Sequence, residues 1–184
     1  KAAAQEGLEP VLIRLLAWLP GRAEALEASL ARASEEADLA LLALGPGEAG
    51  IPALPLAEAP PPPGTEVIAM GYPTGLRAML AQSGERFVAS LQEAGTIGFW
   101  EVAERLAGAG AIRPLASRGI VGQVAAEAVV FDAETTHGGS GGPVLDAEGR
   151  VVAVVSAILP DYGGSNLGVP VGPLRALLRG GEGG

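Results

Sequence analysis

Thr135-Thr136-His137-Gly138-Gly139-Ser140-Gly141-Gly142-Pro143-Val144-Leu145 sets a single serine in a nest of glycines between two apolar runs. Glycine tolerates positive φ and lets backbone N–H groups converge where a Cβ would collide, so such a loop can aim several donors at one point. A serine beside those donors suits acyl transfer. Its hydroxyl attacks a carbonyl, and the N–H groups of Gly138 and Ser140 hold the oxyanion that develops. The competing reading is a flexible Gly/Ser linker. The flanks speak against it: Ala128-Val129-Val130-Phe131 and Pro143-Val144-Leu145 read as buried strands, and Asp146-Ala147-Glu148-Gly149-Arg150 reads as a turn into the apolar run Val151 to Val155.

Bulk composition narrows the function classes. The chain has 184 residues, 48% of them hydrophobic, enough to bury one sizeable core or two small ones. A net charge of −9 disfavours nucleic acid and anionic membranes as partners, because phosphate binding needs a basic face. With no cysteine and one histidine, a disulfide scaffold and a thiolate metal site are excluded, and no cofactor or metal is expected. No apolar run approaches the roughly 18 residues of a membrane span. The sequence begins at Lys1 rather than Met, so an export signal outside these residues stays an open matter.

Going outward along the chain, Val11 to Trp18 reads as a strand closed by the Pro20-Gly21 turn. Arg22 to Ala37 is ambiguous: its Ala, Glu, Leu and Arg favour helix, whereas Leu26, Ala28 and Leu30 alternate as in a half-buried strand. Asp38 stands immediately before the apolar strand Leu39 to Leu44. It reads either as a surface residue capping a core strand or as a carboxylate that accepts an imidazole Nδ1 hydrogen and fixes its tautomer. Residues Gly45 to Gly64 carry Pro46, Pro52, Pro55 and the run Pro60 to Pro63, which marks a connector. Thr65 to Met70 is a strand running into the turn Gly71-Tyr72-Pro73-Thr74-Gly75.

Between Leu76 and Ser117, Met79, Leu80, Phe87, Val88, Leu91 and then Phe99, Trp100, Val102, Ala103, Leu106 fall at three- and four-residue spacings, predicting two amphipathic helices broken at Gly95. Phe99 and Trp100 are read as filling core. Strands resume from Ser117 to Phe131 and again over Val151 to Ile158. Leu159 to Ser165 is a loop, Asn166 to Val171 a strand, and Pro173 to Leu178 a closing helix stopped by Gly180-Gly181.

Gly139-Ser140-Gly141-Gly142-Pro143 followed by a hairpin resembles the nucleophile loop of trypsin-like, chymotrypsin-fold serine proteases, and the flanks look most like the bacterial HtrA-type, disulfide-free branch. Asp38-Leu39-Ala40-Leu41-Leu42 resembles the segment that carries the triad aspartate, and Val67-Ile68-Ala69-Met70-Gly71-Tyr72-Pro73-Thr74-Gly75 the one that opens the second barrel. The family more often has Asp or Asn at the place of Gly139, a side chain that braces the loop. The resemblance settles Arg22 to Ala37 as strand. It implies a mostly β fold: a double six-stranded antiparallel β-barrel with a two-helix insertion at about 76–117 in the second barrel, a C-terminal helix and a first barrel incomplete in this chain. The expected divisions are 1–45 as the remainder of the first barrel, 46–64 as the connector and 65–184 as the second barrel.

By the same resemblance, Ser140 is the nucleophile of a serine endopeptidase, Asp38 orients a histidine, Gly138 and Ser140 form the oxyanion hole, and Ser156, Ala157 and Ile158 pair with a substrate strand. Glu134, His137 and Gly168 line or border the S1 pocket, and basic P1 side chains would be preferred if Glu134 lies at its base. His137 lies three residues before Ser140 on the same loop and is read as a substrate contact or an exposed side chain rather than as the base. The family's catalytic histidine precedes the strand read at Val11, where Lys1-Ala2-Ala3-Ala4-Gln5-Glu6-Gly7 occupies roughly the intervening turn, so the base is expected just upstream of Lys1. The rival implication is a catalytically inactive protease-fold module that binds extended peptides. Polypeptides are the expected partners, and the resemblance favours the bacterial cell envelope or periplasm without excluding the cytoplasm.

Overall fold

The computed structural model describes residues 14–45, 51–95, 97–158 and 165–180. The expected turn at Lys1 to Gly7, the first residues of the strand read at Val11, and most of the Leu159 to Ser165 loop lie outside the described residues.

Strands β1 (Leu15–Ala17), β2 (Leu26–Ser34) and β3 (Leu39–Leu44) form an antiparallel sheet in the order β1-β2-β3. The helix propensity of the Arg22 to Ala37 stretch loses to pairing. Leu26 lies opposite Ala17, Ala28 lies between Leu15 and Leu44, and Leu30 faces Leu42, so the alternating apolar set shares one face. Leu30 and Leu42 on that face are exposed.

The second unit is a closed barrel of β4 (Glu66–Gly71), β5 (Leu115–Val124), β6 (Val129–Phe131), β7 (Pro143–Leu145), β8 (Val151–Ile158) and β9 (Asn166–Pro170), in the order β4-β5-β6-β9-β8-β7. Pairing of Ile68 with Leu145 and Ala69 with Val144 closes it. Val67, Ala69, Val121, Val129, Phe131, Val144, Val152, Ala153 and Val155 fill the interior. Each fully buried Val or Phe among them contributes about 1.5–3 kcal/mol. The mostly β architecture, with one closed six-stranded barrel and one incomplete sheet, agrees with the expectation. In the proline-rich connector, Ala57 donates to Val151 O at 3.0 Å and Val151 to Pro55 O at 2.8 Å, which fastens it along β8.

The insertion departs from the expected pair of helices. It folds as three: α1 (Leu76–Gln82), α2 (Glu85–Glu93) and α3 (Phe99–Gly108). The extra break falls at Ser83-Gly84, where Ser83 Oγ donates to Leu80 O at 2.8 Å and Gly84 takes φ 84°. Leu106, Ala107 and Ile112 form a second core against Trp18, Tyr72, Leu76, Met79 and Phe87. Phe99 and Trp100 do not fill it; they are 62% and 50% exposed in the first turn of α3. Trp100 stacks on Trp18 with ring centroids 5.6 Å apart, joining the insertion to the end of β1.

Helix α4 (Val171–Arg179) follows β9 directly and ends at Gly180, whose φ of 90° is the left-handed cap expected from the sequence. It lies against β8 and β9 of the barrel and β2 and β3 of the sheet. No helix among the described residues is long and apolar enough to cross a membrane.

Candidate active site

The glycine-rich loop around Ser140 hangs between β6 and β7 and is tied down on both sides. Gly141 N donates to Val155 O and Val155 N to Gly142 O, each at 2.8 Å, fixing the residues after Ser140 to β8. Before Ser140, Thr74 N donates to His137 O at 2.6 Å, and Gly139 N to Thr136 O at 2.9 Å. The Tyr72–Gly75 turn thus braces the loop, with Thr74 held at a φ of 58° that non-glycine residues seldom adopt. Gly138 has φ 94°, and a Cβ there would lie 2.7 Å from Tyr72 O. Glycine is required at that point for both reasons. At Gly139 the space for a Cβ is taken by Thr135 Oγ1. Thr135 therefore fills the volume into which the family's usual acid or amide would grow.

Among the described residues, the N–H groups of Gly138 and Ser140 carry no hydrogen-bond partner. Ser140 is exposed, and its Oγ donates to Ser156 O at 3.1 Å. Ser156 in turn donates from its own Oγ to Asp38 Oδ2 at 3.0 Å. Asp38 is reached through the β2–β3 turn, in which Ala37 N donates to Ser34 Oγ at 3.2 Å and Asp38 N to Glu35 O at 3.3 Å; Asp38 itself sits at φ 50°. The chain therefore brings Ser140 and Asp38 to the same site from opposite units, with Ser156 between them. The side chain of Ser156 was not singled out from sequence for this link. Its signal is being the one polar residue within Val151 to Ile158.

Ser156 marks an irregularity in β8, where the register against β9 shifts between Val155 and Ala157. Ala157 and Ile158 pair with Leu167 and Asn166 of β9 and have no strand partner on the other side among the described residues. That free edge begins where Ser140 contacts Ser156. Glu134 is exposed directly after fully buried Ala133; its N–H donates to Ser117 Oγ at 2.8 Å, and Asn166 Nδ2 donates to Ala133 O at 2.7 Å. Gly168 is buried in β9, where a Cβ would meet Ala153 Cβ at 3.1 Å and Phe131 at 3.4 Å, so its Cβ face looks into the barrel. His137 is exposed, and no hydrogen bond among the described residues joins its ring to Ser140. A cavity of about 920 Å³ borders Asp38 and Ser156, with Glu36 and Glu127 also in its lining.

Residues 17–154 match the family model of the trypsin-like peptidase domain. Among solved structures, the active form of the Rv3671c protease from M. tuberculosis superimposes with a TM-score of 0.59 at 18% identity, over 88% of this chain and 61% of that one. An inactive mutant form of Rv3671c gives 0.57 at 19% identity, over 85% and 65%. The serine endoprotease from Yersinia pestis gives 0.59 at 16% identity, over 85% and 44%. At these identities the likeness is one of fold, and the chain spans 44% to 65% of the lengths of these three. No curated protein sequence matches.

Proposed function

Because the chain belongs to the trypsin-like peptidase family, we propose that it carries the nucleophile half of a serine endopeptidase that cleaves peptide bonds through an acyl-enzyme. Ser140 is the nucleophile, Asp38 the carboxylate that orients the general base, and the N–H groups of Gly138 and Ser140 the oxyanion hole. One observation supports this reading: Ser156 touches both groups across two β units, its backbone O accepting from Ser140 Oγ at 3.1 Å and its own Oγ donating to Asp38 Oδ2 at 3.0 Å, beside two backbone donors that have no partner among the described residues.

The base is a histidine from a part of the protein beyond these residues, entering between Asp38 and Ser140. A proton leaves Ser140 Oγ for that imidazole as Oγ bonds the carbonyl carbon, and it then passes to the departing amine. The oxyanion points at Gly138 and Ser140, where each donor is worth about 3–4 kcal/mol in the transition state. The free edge at Ser156, Ala157 and Ile158 takes the substrate as an added strand, a mode that reads main chain more than sequence. Glu134 gives a preference for basic P1 side chains, with His137 and Gly168 at the borders of that pocket.

A fluorophosphonate probe applied to the full-length protein should label Ser140 and leave Ser140→Ala unlabelled. Absence of label in the intact protein would replace this reading with an inactive protease-fold module that binds extended peptides.

A further inference from the structure

We propose that Arg32 is a positioning residue that holds Asp38 at Ser156 by locking the β2–β3 hairpin onto the end of α4. This rests on the catalytic reading of Asp38 and Ser140 given above.

Arg32 lies in β2 just past the register irregularity at Leu30/Arg32, six residues before Asp38. Its Nη1 crosses to α4 and donates to Leu177 O at 3.0 Å and to Leu178 O at 3.2 Å. Carbonyls in the last turn of a helix lack partners within it, and a cation there complements the negative end of the helix dipole. Gly180 makes room for the contact: a Cβ at that left-handed position would fall 3.0 Å from Arg32 Nη1 and 3.1 Å from Nη2.

Helix α4 is in turn fixed to the barrel. It continues β9 without a break, buries Val171, and sends Arg175 Nη2 to Ala57 O at 2.7 Å and Leu56 O at 3.1 Å. Arg32 thus anchors the hairpin to the same rigid unit that carries Ser140 and Ser156. A second polar link, Ser156 to Asp38, crosses this junction at the hairpin's far end. Asp38 is exposed and held in a left-handed backbone conformation by a short turn. One hydrogen bond to an exposed carboxylate restrains such a turn weakly, and the two bonds from Arg32 to α4 add a second restraint on the same hairpin six residues away.

The test uses the full-length protein. Arg32→Met should lower kcat about tenfold with KM within about twofold, and Arg32→Lys, which keeps the cation and one carbonyl contact, should restore most of it. In an Asp38→Asn background, Arg32→Met should have no further effect on kcat, because Arg32 acts through Asp38. Independently of activity, hydrogen exchange at residues 35–39 should quicken in Arg32→Met while β7 and β8 exchange as before. Unchanged exchange in that turn, or the same loss of kcat with and without Asp38, overturns the proposal. A wild-type protein that fluorophosphonate does not label overturns the catalytic reading instead, and the exchange measurement still judges the anchor.

Discussion

Replacing Gly138 by alanine puts two separate penalties on the glycine-rich loop around Ser140. At φ 94° an alanine backbone is strained by about 1–3 kcal/mol. The new methyl would also stand 2.7 Å from Tyr72 O and 3.3 Å from Gly75 N, and both are backbone atoms that no side-chain rotation can clear. Such overpacking adds about 1–3 kcal/mol. The cheapest relief is for the loop to swing off the Tyr72–Gly75 turn, which gives up the Thr74 N to His137 O hydrogen bond of 2.6 Å, a loss of about 1 kcal/mol. Relief by that route leaves global stability lower by only about 1–2 kcal/mol, but it turns the Gly138 N–H away from the proposed oxyanion hole. Losing one such donor lowers kcat about 10²–10³-fold. Gly141→Ala is the internal control: it shares the strained backbone, with φ 86°, but nothing lies within 4 Å of its Cβ position. Steady-state cleavage of a peptide substrate and denaturant unfolding of both variants would separate the two penalties. A Gly138→Ala enzyme within tenfold of wild-type kcat, or one no worse than Gly141→Ala, would refute the assignment of this N–H to the oxyanion hole.

Gly139→Ala should destabilise the protein by about 1–3 kcal/mol through Thr135 Oγ1, and Thr135→Ala should recover part of that loss, since Thr135 Cβ stays at an ordinary 3.5 Å from the new methyl while Thr136 O remains at a tight 3.1 Å; additive unfolding energies would contradict the collision. Ser156→Ala removes the hydroxyl that Asp38 accepts at 3.0 Å. Discounted for exposure, that hydrogen bond is worth about 1 kcal/mol, so kcat should fall about fivefold at little-changed KM. A change in KM alone would make Ser156 a binding contact only. At Asp146, burial pushes the carboxyl pKa up, but the Arg150 N–H and guanidinium and the Glu148 N–H outweigh it and hold the pKa below the usual carboxylate range. A depressed folded pKa gives stability that is present above the unfolded value of about 3.9 and is lost as pH falls through the folded one. Asp146→Asn should therefore be less stable at neutral pH and lose less on acidification below about pH 4. Parallel unfolding curves for the two proteins across that range would count against the arrangement.

What could be read from the sequence was whatever is decided within a few residues. The second barrel is legible through the resemblance of Val67 to Gly75 and of the Ser140 loop to segments of the trypsin-like family, and the glycines around Ser140 admit few conformations. The strand at Leu26 to Ser34 was legible only against its own propensity, since the partners that decide it, Ala17 and Leu44, lie on other strands. The third helix is not legible because the periodicity runs on across Ser83-Gly84, and a glycine weakens a helix without always ending it. Phe99 and Trp100 are exposed instead of buried, which is not legible because spacing gives the face of a helix but not which of its turns are covered. The candidate site divides along the same line. Gly138, Ser140 and Asp38 announce themselves by local pattern, whereas Ser156 between them, Thr135 filling the space at Gly139 and Arg32 on the end of α4 depend on where separate segments meet. Arg32 and the carbonyls it binds are separated by 145 and 146 positions, and no local rule connects them. The local pattern therefore names the candidate groups, and the long-range contacts set where they stand relative to one another.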